Sequence, residues 1–124
     1  MSAEENKTNA REAYEAFGRG DVEAASARLT DDTKWTVGGD NAVSGVYTGK
    51  DEIVGYWGKL AEKSTTVETH EFIADGDKVV ALTTATFDGR SVESADVLTY
   101  DGDGNLVAFD NYSDETVANE VFAK

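Results

Sequence analysis

Three side chains in this sequence could move protons in a setting that would perturb them: Asp96, Asp110 and His70. Asp96 sits in the run Ser94-Ala95-Asp96-Val97-Leu98, and Asp110 in Ala108-Phe109-Asp110-Asn111-Tyr112. Two carboxylates sharing one apolar pocket cannot both ionise cheaply. One holds its proton, so an acid and a base stand side by side. The chemistry expected of such a pair is cofactor-independent proton transfer: isomerisation, aldol-type cyclisation or hydration. Asp110 would be the base and Asp96 the proton donor or oxyanion partner. His70, the single histidine, would titrate near neutral pH as a further acid or base.

Other chemistries are excluded or disfavoured. There is no cysteine, so thiol nucleophiles, zinc-thiolate sites and disulfides are ruled out. No glycine-rich phosphate loop and no nucleophile elbow occur. One histidine among acids makes at best a weak metal site, and neither a metal nor a cofactor is expected. Asp101-x-Asp103-x-Asn105 imitates the opening of a calcium loop, but Leu106 replaces its glycine and Tyr112 its terminal glutamate. A hairpin is the better reading.

Turn chemistry decides which residues meet. A two-residue Asp88-Gly89 turn pairs Phe87 with Arg90 and so sets Thr83 opposite Ser94 and Ala81 opposite Asp96. One face then carries Val79, Ala81, Thr83, Ala85, Ser94, Asp96 and Leu98, and the other Val80, Leu82, Ala95 and Val97. If Gly102-Asp103-Gly104 is a three-residue loop, Asp101 pairs with Asn105 and Asp96 faces Asp110, with Cβ atoms ~4.5–5.5 Å apart. A loop of two or four residues moves that pairing to Phe109 and parts the acids. A two-residue Asp75-Gly76 turn places His70 opposite Ala81, on the Asp96 face.

The elements that must position these residues are legible. Ser2-x-x-Glu5 is a capping box opening a helix with Ala10, Ala13, Tyr14 and Phe17 on one stripe, closed by Gly18 and Gly20. Asp21 caps a short second helix with Val22, Ala25 and Leu29 inward. Residues 34–37 read as a strand and 38–47 as an irregular loop. Thr48-x-x-Asp51 caps a third helix bearing Ile53, Val54, Trp57, Leu60 and Ala61. Residues 66–74, 78–87, 91–100 and 105–112 read as four antiparallel strands, and 114–122 as a terminal helix. Helices gathered ahead of a meander mean α+β. A curved antiparallel sheet with the N-terminal helices over its concave face encloses a pocket, a usual place for a small ligand.

Length, 124 residues, predicts one domain spanning residues 1–124. The net charge of −14 argues against nucleic acid and against an anionic membrane surface. No apolar run approaches the ~20 residues of a membrane span. The acidic N-terminus is unlike a signal peptide, so a cytoplasmic location is expected. Proline is absent where about six would be usual, and glycine numbers 12. Both raise the entropy of the unfolded chain.

The sequence resembles the SnoaL-like branch of the nuclear-transport-factor-like superfamily, which includes ketosteroid isomerases and polyketide cyclases. The residues that carry the resemblance are Gly20-Asp21-Val22-Glu23-Ala24, Asp31-Asp32-x-x-Trp35, Gly45-x-Tyr47-x-Gly49-Lys50-x-x-Ile53, His70-x-x-x-Ala74, and Asp96-Val97 leading into Asp103-Gly104-Asn105-Leu106. The resemblance implies a cone-shaped α+β barrel and a homodimer packed through the sheet. Asp96 matches the acidic oxyanion-hole position of the isomerases. Their general base falls at Val37, and their tyrosine near Ala13, one position from Tyr14. The cyclase pattern puts a general-base Asp fourteen residues after position 96, at Asp110. It has histidine where this chain has Asp96. The limonene-epoxide-hydrolase pattern wants arginine at Ser94.

The ligand expected is a small apolar or carbonyl-containing molecule. Its expected contacts are Tyr14, Phe17, Trp35, Val37, Trp57, Ala81, Thr83, Ser94, Leu98 and Tyr112. A binding module without turnover and a structural dimerisation domain are the alternatives. The sheet face bearing Val80, Leu82, Ala95, Val97, Val107 and Phe109 is expected to pack against a second copy.

Overall fold

The computed structural model describes residues 2–124. Helix α1 (Ala3–Gly18) opens on the expected capping box: Ser2 Oγ accepts from the Glu5 amide at 3.1 Å, and Glu5 Oε1 accepts from the Ser2 amide at 3.2 Å. Gly20, at φ +74°, turns the chain out of the helix. Asp21 then caps the four-residue α2 (Val22–Ala25) by accepting from the Ala24 amide. Val22 is exposed rather than inward.

Strand β1 (Leu29–Val37) begins five residues earlier than expected, and the loop after it contains a short strand, β2 (Gly45–Thr48). Helix α3 (Lys50–Glu62) is capped by Gly49 at φ +89°, not by the Thr48 side chain. A side chain at position 49 would be strained at that φ and would press on the Asp31 carbonyl. The meander follows as β3 (Thr66–Asp75), β4 (Lys78–Phe87), β5 (Arg90–Tyr100) and β6 (Leu106–Ser113), closed by α4 (Thr116–Val121).

The six strands form one open, curved sheet in the order β2-β1-β6-β5-β4-β3. It is mixed, because β1 runs parallel to β6 while every other pair is antiparallel. Asp88 (φ 48°) and Gly89 (φ 81°) both take left-handed backbone, the type I′ geometry of a tight hairpin, so Phe87 pairs with Arg90 as expected. Helix α1 lies on β3 and β4, and α3 on β1 and β2. The concave face holds the core: Val79 and Ala81 of β4, Leu98 and Tyr100 of β5, Leu106 and Phe109 of β6, with Ile53, Trp57 and Leu60 of α3.

Register shifts interrupt three strand pairs: β1 with β6 between Leu29 and Lys34, β5 with β6, and β3 with β4. In β6, Leu106 and Phe109 are both buried although residues three apart on a regular strand face opposite sides. The extra residue is Val107: Tyr100 pairs with Leu106, but Thr99 pairs with Ala108. Strand β1 and the residue before it take both backbone groups of Leu106. Its amide donates to the Arg28 carbonyl at 2.8 Å, and its carbonyl accepts from Thr33 Oγ1 at 2.5 Å. In β3, Thr69 pairs with Thr83 and Glu71 with Leu82, which leaves His70 as the extruded residue. Among the described residues, no helix is long and apolar enough to cross a membrane.

Candidate functional site

Asp96 is the polar centre of the concave face. The Asp88-Gly89 turn fixes its register opposite Ala81, and alternation along β5 turns it inward with Ser94 and Leu98. It is 5 % exposed. Tyr14, reaching down from α1, donates its hydroxyl to Asp96 Oδ2 at 2.5 Å. Asn111 Nδ2 donates to Asp96 Oδ1 at 2.7 Å. The Asn111 amide is oriented by Ser113, whose Oγ donates to Asn111 Oδ1 at 3.2 Å. One donor rests on each carboxylate oxygen, so each oxygen retains a lone pair.

Burial pushes the Asp96 carboxyl above its ordinary value, opposed by the hydrogen bonds from Tyr14 and Asn111. Burial likewise pushes the Tyr14 hydroxyl well up, helped by the negative charge of Asp96. Asp96 is thus an acid that holds its proton unusually firmly, joined by a short bond to a phenol that holds its own more firmly still.

A cavity of about 670 Å³ opens beside this group. Eight of the ten expected ligand contacts line it: Tyr14, which also bonds Asp96, and Phe17, Trp35, Val37, Trp57, Thr83, Ser94 and Leu98. Trp35 lies flat on Phe109, with ring centroids 3.6 Å apart and planes 7° apart. Trp57 meets Trp35 edge-on, and Phe17 meets Trp57 edge-on, both at 5.6 Å. Thr83 Oγ1 and Ser94 Oγ share a hydrogen bond of 2.7 Å along the same wall. Val37 occupies the wall where the resemblance placed a general base.

The placements of Asp110, Tyr112, Phe109, His70 and Ala81 differ from expectation. The Gly102-Asp103-Gly104 loop forms as expected: the Asp101 amide donates to the Asn105 carbonyl, and Gly104 is left-handed. The Val107 bulge then shifts β6 by one residue. Asp96 consequently faces Asn111, while Asp110 pairs with Val97 on the outer face. The two acids do not share the cavity. Tyr112, two residues on, is turned outward by the same shift and is 62 % exposed. Phe109 moves the opposite way, from the expected outer face into the core.

His70 is also outside the cavity. The β3–β4 turn is Gly76-Asp77, since Asp75 pairs with Lys78, and Phe72 rather than His70 stands opposite Ala81. The extruded ring shares a 2.7 Å hydrogen bond with Thr84 Oγ1 and lies 3.7 Å from Glu68. Ala81 is fully buried in the core beneath the cavity and does not line it. Asn111 is the partner of Asp96 at this candidate site that sequence reasoning missed. The Leu106/Phe109 spacing was the available signal, because two apolar residues three apart on one strand call for a bulge. Asn9, Tyr56 and Tyr100 also line the cavity and were not anticipated.

A family model described as the SnoaL-like domain matches residues 10–109. The chain belongs to the SnoaL-like family. The family includes isomerases and cyclases. An NTF2-like protein of unknown function from Burkholderia pseudomallei has a TM-score of 0.83 at 27 % identity, with all of both chains covered. A ketosteroid isomerase-like protein from Kribbella flavida has a TM-score of 0.80 at 16 % identity, covering 93 % of this chain and 82 % of its own. TerC, crystallised with polyporic acid, has a TM-score of 0.82 at 19 % identity, covering 96 % and 98 %. The latter two show the shared fold alone. No curated protein matches the sequence.

Proposed function

We propose that this SnoaL-like protein binds a compact, largely apolar molecule carrying a carbonyl or hydroxyl group, and that Asp96 exchanges a proton with it. One observation carries the reading: a carboxyl group 5 % exposed, with raised proton affinity, on the wall of an aromatic cavity of about 670 Å³. Burying a carboxylate among apolar groups is costly. Tyr14 and Asn111 offset part of that cost and leave one lone pair on each oxygen for a ligand. The relatives support the class of ligand, since one resembles ketosteroid isomerases and another was crystallised with polyporic acid.

The chemistry available is a one-base shuttle. Ionised Asp96 takes a proton from a carbon beside a carbonyl, and the C–H electron pair moves into the carbonyl as an enolate. The same carboxyl returns the proton to another carbon of the conjugated system, which restores the carbonyl and shifts a double bond. Atoms and charge balance without a cofactor. Tyr56, Thr83 and Ser94 line the same cavity, and a hydroxyl of theirs is the donor proposed for the enolate oxygen.

A second reading, binding without turnover, is favoured by Val37. An aliphatic side chain faces the cavity where the isomerase pattern would hold its base, and neither Asp110 nor His70 replaces it.

The test is a thermal-shift and turnover screen of steroid-like, quinone-like and terpenoid enones, repeated on Asp96→Asn. Proton shuttling predicts binding to both proteins and a loss of turnover of about 10²–10⁴-fold in the variant. Binding to both without turnover in either supports the second reading. A screen in which none of these compounds binds the parent overturns both, and leaves a structural domain.

A further inference from the structure

We infer that Ser94 and Ser113 form a bridge for a hydroxyl group of the ligand, roughly one six-membered ring along the cavity from Asp96. This rests on the reading of the cavity as a small-molecule site and deepens it: the ligand is a hydroxylated molecule rather than a ketone alone.

Strand register brings the two serines together. The Asp88-Gly89 turn sets Thr83 opposite Ser94. The Val107 bulge sets Ser113 opposite Ser94, where an unbulged strand would have set Tyr112. Directly paired residues share a face of the sheet, with Cβ atoms ~4.5–5.5 Å apart. Thr83, Ser94 and Ser113 all line the cavity. The Ser94 hydroxyl bonds Thr83 and the Ser113 hydroxyl bonds Asn111, and neither serine bonds the other.

Hydrogen-bond accounting fixes what each serine has left to offer. The 2.7 Å Thr83–Ser94 bond uses one of the pair's two O–H groups. Thr83 is 2 % exposed, so its O–H is spent on Ser94, its hydrogen-bond partner in the wall. The Ser94 O–H is the one left over, on the more open of the two residues. Ser113 is the reverse. Asn111 Nδ2 is turned to Asp96 Oδ1, so Asn111 Oδ1 faces Ser113 and can only accept. The Ser113 O–H is spent there, and a lone pair is what remains. A donor and an acceptor thus stand side by side across β5 and β6. A ligand hydroxyl satisfies both at once, accepting from Ser94 and donating to Ser113. A ketone oxygen can only accept, and satisfies one.

The bridge is close to Asp96 but distinct from it. Ser94 precedes Asp96 by two residues on β5, about 6.8 Å at strand rise, on the same face. Ala85 and Val92, the next inward pair along β4 and β5, continue the wall as apolar surface. With Ser94 so engaged, the Tyr56 hydroxyl, which feels the charge of Asp96, is the one that remains for an enolate oxygen.

The test compares three probes by calorimetry under argon: phenylhydroquinone, whose two hydroxyls lie at opposite ends of one ring, and ortho- and meta-phenylphenol, each lacking one of them. On the parent protein the diol is expected to bind about tenfold tighter than either mono-phenol. Thr83→Val combined with Ser94→Ala removes the paired hydroxyls together and strands neither. In that variant the diol should bind within about twofold of the tighter mono-phenol. Ser113→Ala removes the acceptor alone and should cut the preference to about threefold. Equal binding of the three probes to the parent overturns the bridge and leaves the cavity reading standing, as does a full preference that survives in both variants. If none of the three binds the parent, the small-molecule reading of the cavity falls and the bridge with it.

Discussion

Asn111 Nδ2 donates to Asp96 Oδ1 at 2.7 Å across the β5–β6 pair, in the place where an unbulged strand would have set Asp110. A neutral donor thus replaces a like charge. Asp96 meets no second carboxylate, and its raised proton affinity comes from burial alone, held in check by two hydrogen bonds. The arrangement suits a single acid that can be charged or neutral, rather than a coupled pair.

Removing Asn111 should expose that balance. Asn111→Leu takes away a hydrogen bond to a charged group, a contribution of about 1.5–3 kcal/mol when Asp96 is ionised. The Asp96 midpoint should rise further. Asp110→Asn, on the outer face, should leave the Asp96 midpoint where it is. Carboxyl-carbon NMR titration of the two variants distinguishes them.

Tyr14→Phe should act on the other oxygen. The variant loses the 2.5 Å bond and leaves Asp96 Oδ2 buried without a donor. A loss of roughly 1–3 kcal/mol is expected at a pH where Asp96 is ionised, and a smaller loss in acid. Urea unfolding at two pH values measures the difference.

The pH dependence of stability follows from the sign of the Asp96 shift. A carboxyl with a raised folded-state pKa binds more protons folded than unfolded at intermediate pH. Its contribution is intact below the ordinary aspartate value and is lost as pH rises through the folded one. Asp96→Asn has no charge to bury. Its amide can donate to Tyr14 Oη while its carbonyl accepts from Asn111. The variant should therefore be more stable than the parent at neutral pH and lack this falling limb. Thermal unfolding between acid and neutral pH shows whether the two curves diverge upward.

The strand segments and the inward face of Asp96 were legible because local chemistry fixes them. Asp88-Gly89 specifies a type I′ turn, and period-2 alternation does the rest. The site around Asp96 was less legible. Both misplaced groups, Asp110 and His70, follow irregularities that a count along the chain does not see. Val107 is extruded where Arg28 and Thr33, just before and in the parallel neighbour β1 that hairpin arithmetic does not see, take the backbone groups of Leu106. His70 is extruded at a comparable bulge in β3, and the β3–β4 turn falls one residue later than Asp75-Gly76 suggests. Tyr14 was closer: one helical position from where the resemblance put a tyrosine, it is the residue that reaches Asp96.

The outer face of the sheet leads to a prediction about assembly. Val80, Leu82, Ala95 and Val97 run across it, with Ile73 48 % exposed and Tyr112 62 % exposed. Such a surface is expected to pair with a second copy. Light scattering should give twice the 13.3 kDa of the chain. Val97→Lys should halve the measured mass, and low salt should weaken the dimer, since each copy carries −14.

The most direct test of the account is the titration of the Asp96 carboxyl carbon, followed by NMR with and without a saturating apolar enone. The account predicts a midpoint above that of an ordinary aspartate in the free protein, and a displaced midpoint when the cavity is filled. An ordinary midpoint that the ligand leaves untouched would contradict it.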